Sequence, residues 1–216
     1  MDLYLVTSAV AEAAVRRYQP RARVRVVEAP VRPGFYDPPA QEQARAGLGL
    51  PVDERAVLLM SGAWGLGPIA SAAAALADAG VQVLAVAGRN VKLENRLRAA
   101  ARHRRRLHVF GYTEEIPALM AASDLVITSS GDTCAEARTV GRSLLLLDVV
   151  QGHGRDNLQH ELELGNADVA SSRPGEMVRC ALAALDRVKP PSPGAARFAA
   201  TWETAFTMAL ADIGLG

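Results

Sequence analysis

The chain has 216 residues, 50% hydrophobic and 22% charged, enough to bury a substantial core, which excludes a disordered or collagen-like protein. Lysine and arginine number 24 against 23 for aspartate and glutamate, a formal net charge of +1, so no bulk field gathers nucleic acid and none is expected as a partner. Cys134 and Cys180 show neither zinc nor redox spacing, no apolar run approaches the roughly 18 to 20 residues of a membrane span, and Met1-Asp2-Leu3-Tyr4 lacks a basic signal-peptide start, so a cytoplasmic chain is expected.

In chain order, Leu3–Val6 reads as a strand and Val10–Tyr18 as a helix, followed by the proline-punctuated stretch Ala29-Pro30-Val31-Arg32-Pro33-Gly34. Residues 1–34 are accordingly read as the end of a preceding domain plus a linker. Short runs rich in valine, leucine and isoleucine then alternate with alanine-rich amphipathic stretches. Strands are expected at Arg23–Val27, Ala56–Met60, Val81–Ala87, Leu107–Phe110, Leu125–Thr128, Ser143–Leu147 and Asp168–Ala170. Helices are expected at Pro38–Gly47, Pro68–Ala79, Val91–Arg105, Glu114–Ala122, Thr133–Val140, Arg155–Leu164 and Pro174–Val188. The alternation specifies an α/β fold, a Rossmann-like doubly wound parallel sheet over residues 35–188.

Residues 189–216 form a second linker and a terminal amphipathic helix, with Phe198, Trp202, Ala205 and Met208 on one face. That stripe needs cover, from this domain, a partner protein or a second copy. The arginines at 96, 98, 102, 104, 105 and 106 read as a solvated helix face, with peripheral contact to anionic lipid as the competing reading.

Ligands of such folds sit at the carboxyl ends of the strands, so the segments after each strand carry the chemistry. Gly62-Ala63-Trp64-Gly65-Leu66-Gly67 leads into a helix with a first-turn proline, the arrangement of an anion site. Its GxxGxG spacing matches neither the dinucleotide fingerprint nor the Walker loop. Arg89 stands where an NAD enzyme carries an acidic residue, which leaves an NADP reading open.

Ser129-Ser130-Gly131-Asp132-Thr133 is the stronger anion site, its hydroxyls and amides converging where a pyrophosphate could sit, with Glu136 one turn on able to accept from two ribose hydroxyls. The same glutamate could instead complement the helix dipole. Cys134 reads as a packing residue. Asp148 to Asn157 is a polar loop suited to sugar hydroxyls, in which His153 is more naturally a binding group than a base.

Three pieces in this order resemble GT-B glycosyltransferases of the group containing the peptidoglycan lipid-intermediate GlcNAc transferase, the monogalactosyldiacylglycerol synthases and the bacterial diacylglycerol glucosyltransferases. They are Ser61 to Pro68; Gly88-Arg89-Asn90 with Val109-Phe110-Gly111-Tyr112-Thr113; and Ser130 to Thr133 through Glu136, Gly141 and Asn157. The resemblance covers Leu3 to Ala170 and only the carboxy-terminal, donor-binding half of those enzymes.

It implies a UDP-sugar donor and inverting transfer without metal or cofactor. Gly62, Ala63, Trp64 and Gly65 would face the diphosphate, Arg89 would lie beside the nucleotide, and the backbone at Tyr112 and Thr113 would read uracil. Ser130, Gly131, Asp132 and Thr133 would hold phosphate, Glu136 the ribose, and His153 and Asn157 the sugar. Relatives usually carry glutamine at the place of His153. The resemblance puts the catalytic base on an amino-terminal domain largely missing here, so transfer would need an acceptor-domain partner, possible homo-oligomer contacts aside. A non-catalytic nucleotide-sugar binding module is the alternative.

Overall fold

The structure, a computed structural model, describes residues 3–27, 29–60, 69–149, 153–165, 167–171, 173–188 and 201–211. Six strands, β3 (Ala56–Met60), β4 (Gln82–Val86), β5 (Leu107–Phe110), β6 (Leu125–Thr128), β7 (Ser143–Asp148) and β8 (Ala167–Ser171), form one sheet in the order β5-β4-β3-β6-β7-β8. Every pairing in it is parallel. The doubly wound architecture expected from the alternation of runs is therefore the one adopted.

The apolar runs are uninterrupted because each central strand is buried on both faces. Alternate residues face opposite layers: Val57, Leu59, Val83, Ala85, Leu125, Ile127, Leu145 and Leu147 join one core. Their neighbours Leu58, Leu84, Val126, Leu144 and Leu146 join the other. The first core is closed by α3 (Ile69–Asp78), α4 (Val91–Ala101) and α8 (Pro174–Arg187), through residues such as Leu76, Leu97 and Met177. The second is closed by α2 (Gln41–Gly47), α5 (Ile116–Ala122) and α6 (Asp132–Thr139), through Ala44, Leu119, Met120 and Ala137.

One expected strand belongs elsewhere. β2 (Arg23–Val26) pairs with β1 (Leu3–Val6) in a separate two-stranded parallel sheet, crossed over by α1 (Ala9–Tyr18). Its Arg-Val-Arg-Val alternation, with only Val24 buried, cannot fill a strand that must be apolar on both faces. Between the two sheets, Phe35 of a short 3-10 turn (Pro33–Phe35) is fully buried in the second core, with Val31 packed against it.

At the amino-terminal edge of the large sheet a buried charge cluster ties α2 to the strands. Arg45, 5% exposed, donates to the Ala122 carbonyl at 2.9 Å, to the Val52 carbonyl, and to Asp124 Oδ2 at 2.8 Å. The same carboxylate oxygen accepts from the Ala56 amide at 2.8 Å, and Gln41 donates to Oδ1 at 3.0 Å. Arg142 donates to the Ala121 carbonyl at 2.8 Å while its buried Nε has no partner.

The arginine run is partly engaged on the surface: Arg98 pairs with Glu94, Arg104 with Asp78 and Arg106 with Glu54, at 2.7, 2.8 and 2.9 Å. The remaining three are exposed, which agrees with a solvated face. In the terminal helix α9 (Thr201–Ala211), Ala209 is buried and Met208 is 64% exposed, whereas Phe198 and the side chains of Trp202 and Ala205 lie outside the described residues. Among the described residues no helix is long and apolar enough to cross a membrane.

Removing one member of a buried ion pair strands the other in a poorly solvated site. Arg45→Met should lower the unfolding free energy by about 3 kcal/mol, read as a shift in urea midpoint at unchanged slope, since the Asp124 carboxylate and two carbonyls lose their donor.

Candidate functional site

The strand order reverses between β3 and β6, which pair side by side, so the connections leaving them diverge to opposite faces and open a crevice at their carboxyl ends. The first of these connections, with Gly62, Ala63, Trp64 and Gly65, lies outside the described residues. The second is Ser129-Ser130-Gly131, leading into α6.

The N-terminus of α6 differs from that of α4. In α4 the Asn90 side chain accepts from the Leu93 amide at 3.0 Å and caps its own helix. In α6 the cap position is Gly131, extended at φ −174, with no side-chain cap. The first-turn amides and the dipole of α6 are therefore presented beside an exposed Gly131 and Asp132, with Thr133 half-buried. Ser130 is half-buried as well. This terminus can take an anion, and the one at α4 is already satisfied by its own residue.

Glu136 sits one turn into α6 with its side chain 15% exposed. Burial holds its carboxyl above the ordinary carboxylate range; Arg32, whose Nη2 lies 3.5 Å from Oε1, pulls it back, and Asp132 pushes it up again. Arg32 is itself 63% exposed and rests over the Phe35 ring at 5.2 Å. Inside the same turn, Cys134 is fully buried, its thiol aimed at the Ser129 carbonyl at 3.8 Å and pushed up to about 11 by burial, the chemistry of a packing residue.

At the neighbouring carboxyl ends, β4 turns through Gly88, whose φ of +58 suits glycine, to place the Arg89 guanidinium over the Tyr112 ring at 4.7 Å. Tyr112 is 61% exposed. Thr113 Oγ1 accepts from the Glu115 amide at 3.1 Å and fixes the turn that follows β5. The structure thus brings Arg89, Tyr112 and Thr113 into one group and Ser130, Gly131, Asp132, Thr133 and Glu136 into another, both on the same sheet edge.

Past β7 the sequence suggests a longer loop than the fold has. β7 takes in Asp148, and α7 (His153–Glu163) begins at His153, so that residue is the first of a helix instead of a loop residue. Its side chain lies outside the described residues; Asn157, one turn on, is exposed. α7 is tied to α6 by the ion pair of Arg138 with buried Glu161. Sequence reasoning missed Arg32: it lies in a proline-flanked segment, and no spacing rule links it to a carboxylate in a distant helix that packs on the same core.

A parallel sheet wound this way matches in fold one half of the GT-B glycosyltransferases of known structure. The sucrose-phosphate synthase of Thermosynechococcus elongatus superposes with a TM-score of 0.66 at 19% identity, covering 99% of this chain and 58% of that one. The Anabaena protein Alr3699/HepE in complex with UDP superposes with a TM-score of 0.60 at 19% identity, over 97% and 59%.

Residues 68–171 match the glycosyltransferase family 28 C-terminal domain. A probable monogalactosyldiacylglycerol synthase of Glycine max is 34% identical over 173 residues, 75% of this chain and 32% of the relative. The Arabidopsis thaliana monogalactosyldiacylglycerol synthase 1 is 33% identical over the same shares. The chain spans about a third of the length of these curated relatives, the carboxy-terminal half-domain that the motifs indicated.

The raised carboxyl of Glu136 has a consequence for stability. Below its ordinary value, 4.5, the group is protonated folded and unfolded alike; as pH climbs from there through the raised folded value, the ionised form is penalised and stability is lost. Glu136→Gln should therefore melt at a higher temperature than the native chain at pH 7, with the gain shrinking as pH falls toward 4.5, in melts across pH 4 to 8.

Proposed function

We propose that this chain is the donor-binding half of an inverting, UDP-sugar-dependent glycosyltransferase that transfers a hexose to a lipid acceptor. The observation that carries the reading is the switch-point terminus of α6, left uncapped by any side chain, with the half-buried Glu136 carboxylate one turn behind it. A nucleoside diphosphate matches that pair: its phosphates take the helix amides and its vicinal ribose hydroxyls take the carboxylate. The relatives whose names specify galactose transfer to diacylglycerol favour a hexosyl donor, and the neighbour carrying UDP favours uridine.

In this reading Arg89 and Tyr112 flank the base and the backbone at Tyr112 and Thr113 reads uracil. Ser130, Gly131, Asp132 and Thr133 hold the phosphates together with the loop at Gly62, Ala63, Trp64 and Gly65. His153 and Asn157, at the head of α7, meet the sugar. Residues 35–188 form the donor domain, 1–34 the end of an acceptor-side domain with its linker, and 189–216 a linker with a terminal helix.

An acceptor hydroxyl attacks the anomeric carbon from the face opposite the phosphate. The new C–O bond forms as the bond from the anomeric carbon to the phosphate oxygen breaks, the configuration inverts, and UDP departs with the electron pair. The hydroxyl proton passes to a base on the acceptor side. Charge grows on the departing diphosphate, where the fixed amides of α6 stabilise it without reorganising. Transfer therefore requires an acceptor-binding domain beside this one, held at the membrane surface where a lipid acceptor resides.

A ligand that binds only the folded state raises its stability by about 2.7 kcal/mol at a hundred times its dissociation constant. UDP, UDP-galactose, UDP-glucose and UDP-GlcNAc should raise the melting temperature and NADPH should not, with the rise lost in Glu136→Ala. Stabilisation by NADPH alone, or none by any uridine nucleotide, would contradict the reading.

A further inference from the structure

The ribose-binding role of Glu136 requires an ionised carboxylate, because only that form offers acceptors to both hydroxyls at once. Its surroundings oppose ionisation. The side chain is 15% exposed, and Asp132 carries a second carboxylate one turn earlier on the same helix. On α7, Glu161 is already engaged by Arg138. Among the described residues the cation that faces Glu136 is Arg32, and it comes from the linker instead of from the wound domain.

Arg32 is not held by chance of rotamer alone. Phe35, fully buried in the second core, lies beneath its guanidinium at 5.2 Å, and Val31 packs against the same core. The backbone between them makes a 3-10 turn, in which the Phe35 amide donates to the Arg32 carbonyl at 3.1 Å. The aromatic ring and the turn together aim an otherwise exposed side chain across to α6. No spacing between Arg32 and an anionic ligand is needed for this contact to act, because it already reaches Glu136.

The geometry points to Arg32 as a positioning residue that keeps the nucleotide-binding carboxylate of Glu136 charged, so that donor affinity depends on where the linker sits. This rests on the reading of Glu136 as the ribose carboxylate. The linker is the segment through which a preceding domain would act on this one, and any rearrangement that withdraws Arg32 leaves Glu136 with burial and Asp132 alone. Donor binding would then weaken with every residue that touches the nucleotide still in place.

The test measures the UDP dissociation constant by calorimetry from pH 5 to pH 9 for the native chain, Arg32→Met and Arg32→Lys. The ratio of variant to native constants is read at each pH, which cancels the titration of the phosphates themselves. Methionine fills the place over Phe35 without a charge. The expected ratio is near one at pH 9 and widens as pH falls, by about tenfold for each unit by which Arg32 lowers the Glu136 carboxyl. Lysine should restore the native profile in large part, and 2′-deoxyuridine diphosphate, which lacks one of the two hydroxyls, should show a smaller ratio.

A ratio of one throughout would overturn the inference, and so would a loss of equal size at every pH, the signature of an arginine that touches the phosphates directly. Failure of the native chain to bind UDP at any pH would instead bring down the reading of the site on which the inference stands.

Discussion

The structure depends on one constraint: six strands run parallel, so every carboxyl end emerges on a single edge. The central strands are buried on both faces and can be nothing but apolar, and polar groups are confined to the two edges of the sheet. Those edges divide the labour. At the amino-terminal edge Arg45 and Asp124 lock α2 against β3 and β6, and among the described residues the Arg142 Nε is the buried side-chain polar atom without a partner. At the carboxyl edge the reversal of strand order falls between β3 and β6, beside α6.

That division explains why the two helix termini differ. Asn90 closes α4 locally, a contribution of about 1 kcal/mol to a helix. Gly131 forgoes it at α6 and exposes amides instead. Glu136 extends the same logic: its side chain is 15% exposed, and burial with Asp132 nearby raises its carboxyl, the kind of perturbed group that marks a candidate site. Arg32, from the segment that precedes the large sheet, offsets part of that burial.

The period of the apolar runs made the six-stranded sheet legible, because a strand buried on both faces leaves a continuous signature that alternation cannot mimic. Helix and strand positions follow, with shifts at their ends: α5 starts at Ile116 instead of Glu114, a proline at its second position setting the start, α2 starts at Gln41 instead of Pro38, and α4 ends at Ala101 instead of Arg105. Pairing partners were less legible. Arg23 to Val26 has the residues of a strand, but only its arginines, not its valines, tell that it lies outside the main sheet. The α6 site was readable because its residues are contiguous from Ser130 to Glu136. The contacts of Arg32 with Glu136 and of Arg45 with Asp124 were not, since each joins distant segments that only the folded topology brings within reach.

Hydrogen exchange with and without saturating UDP measures, amide by amide, where a uridine nucleotide touches the chain. Slowed exchange at residues 131–133 and 111–113 and in the loop at 62–65, with the Arg45 region unchanged, is the predicted pattern. Protection centred away from the carboxyl edge of the sheet, or none at the first turn of α6, would contradict it.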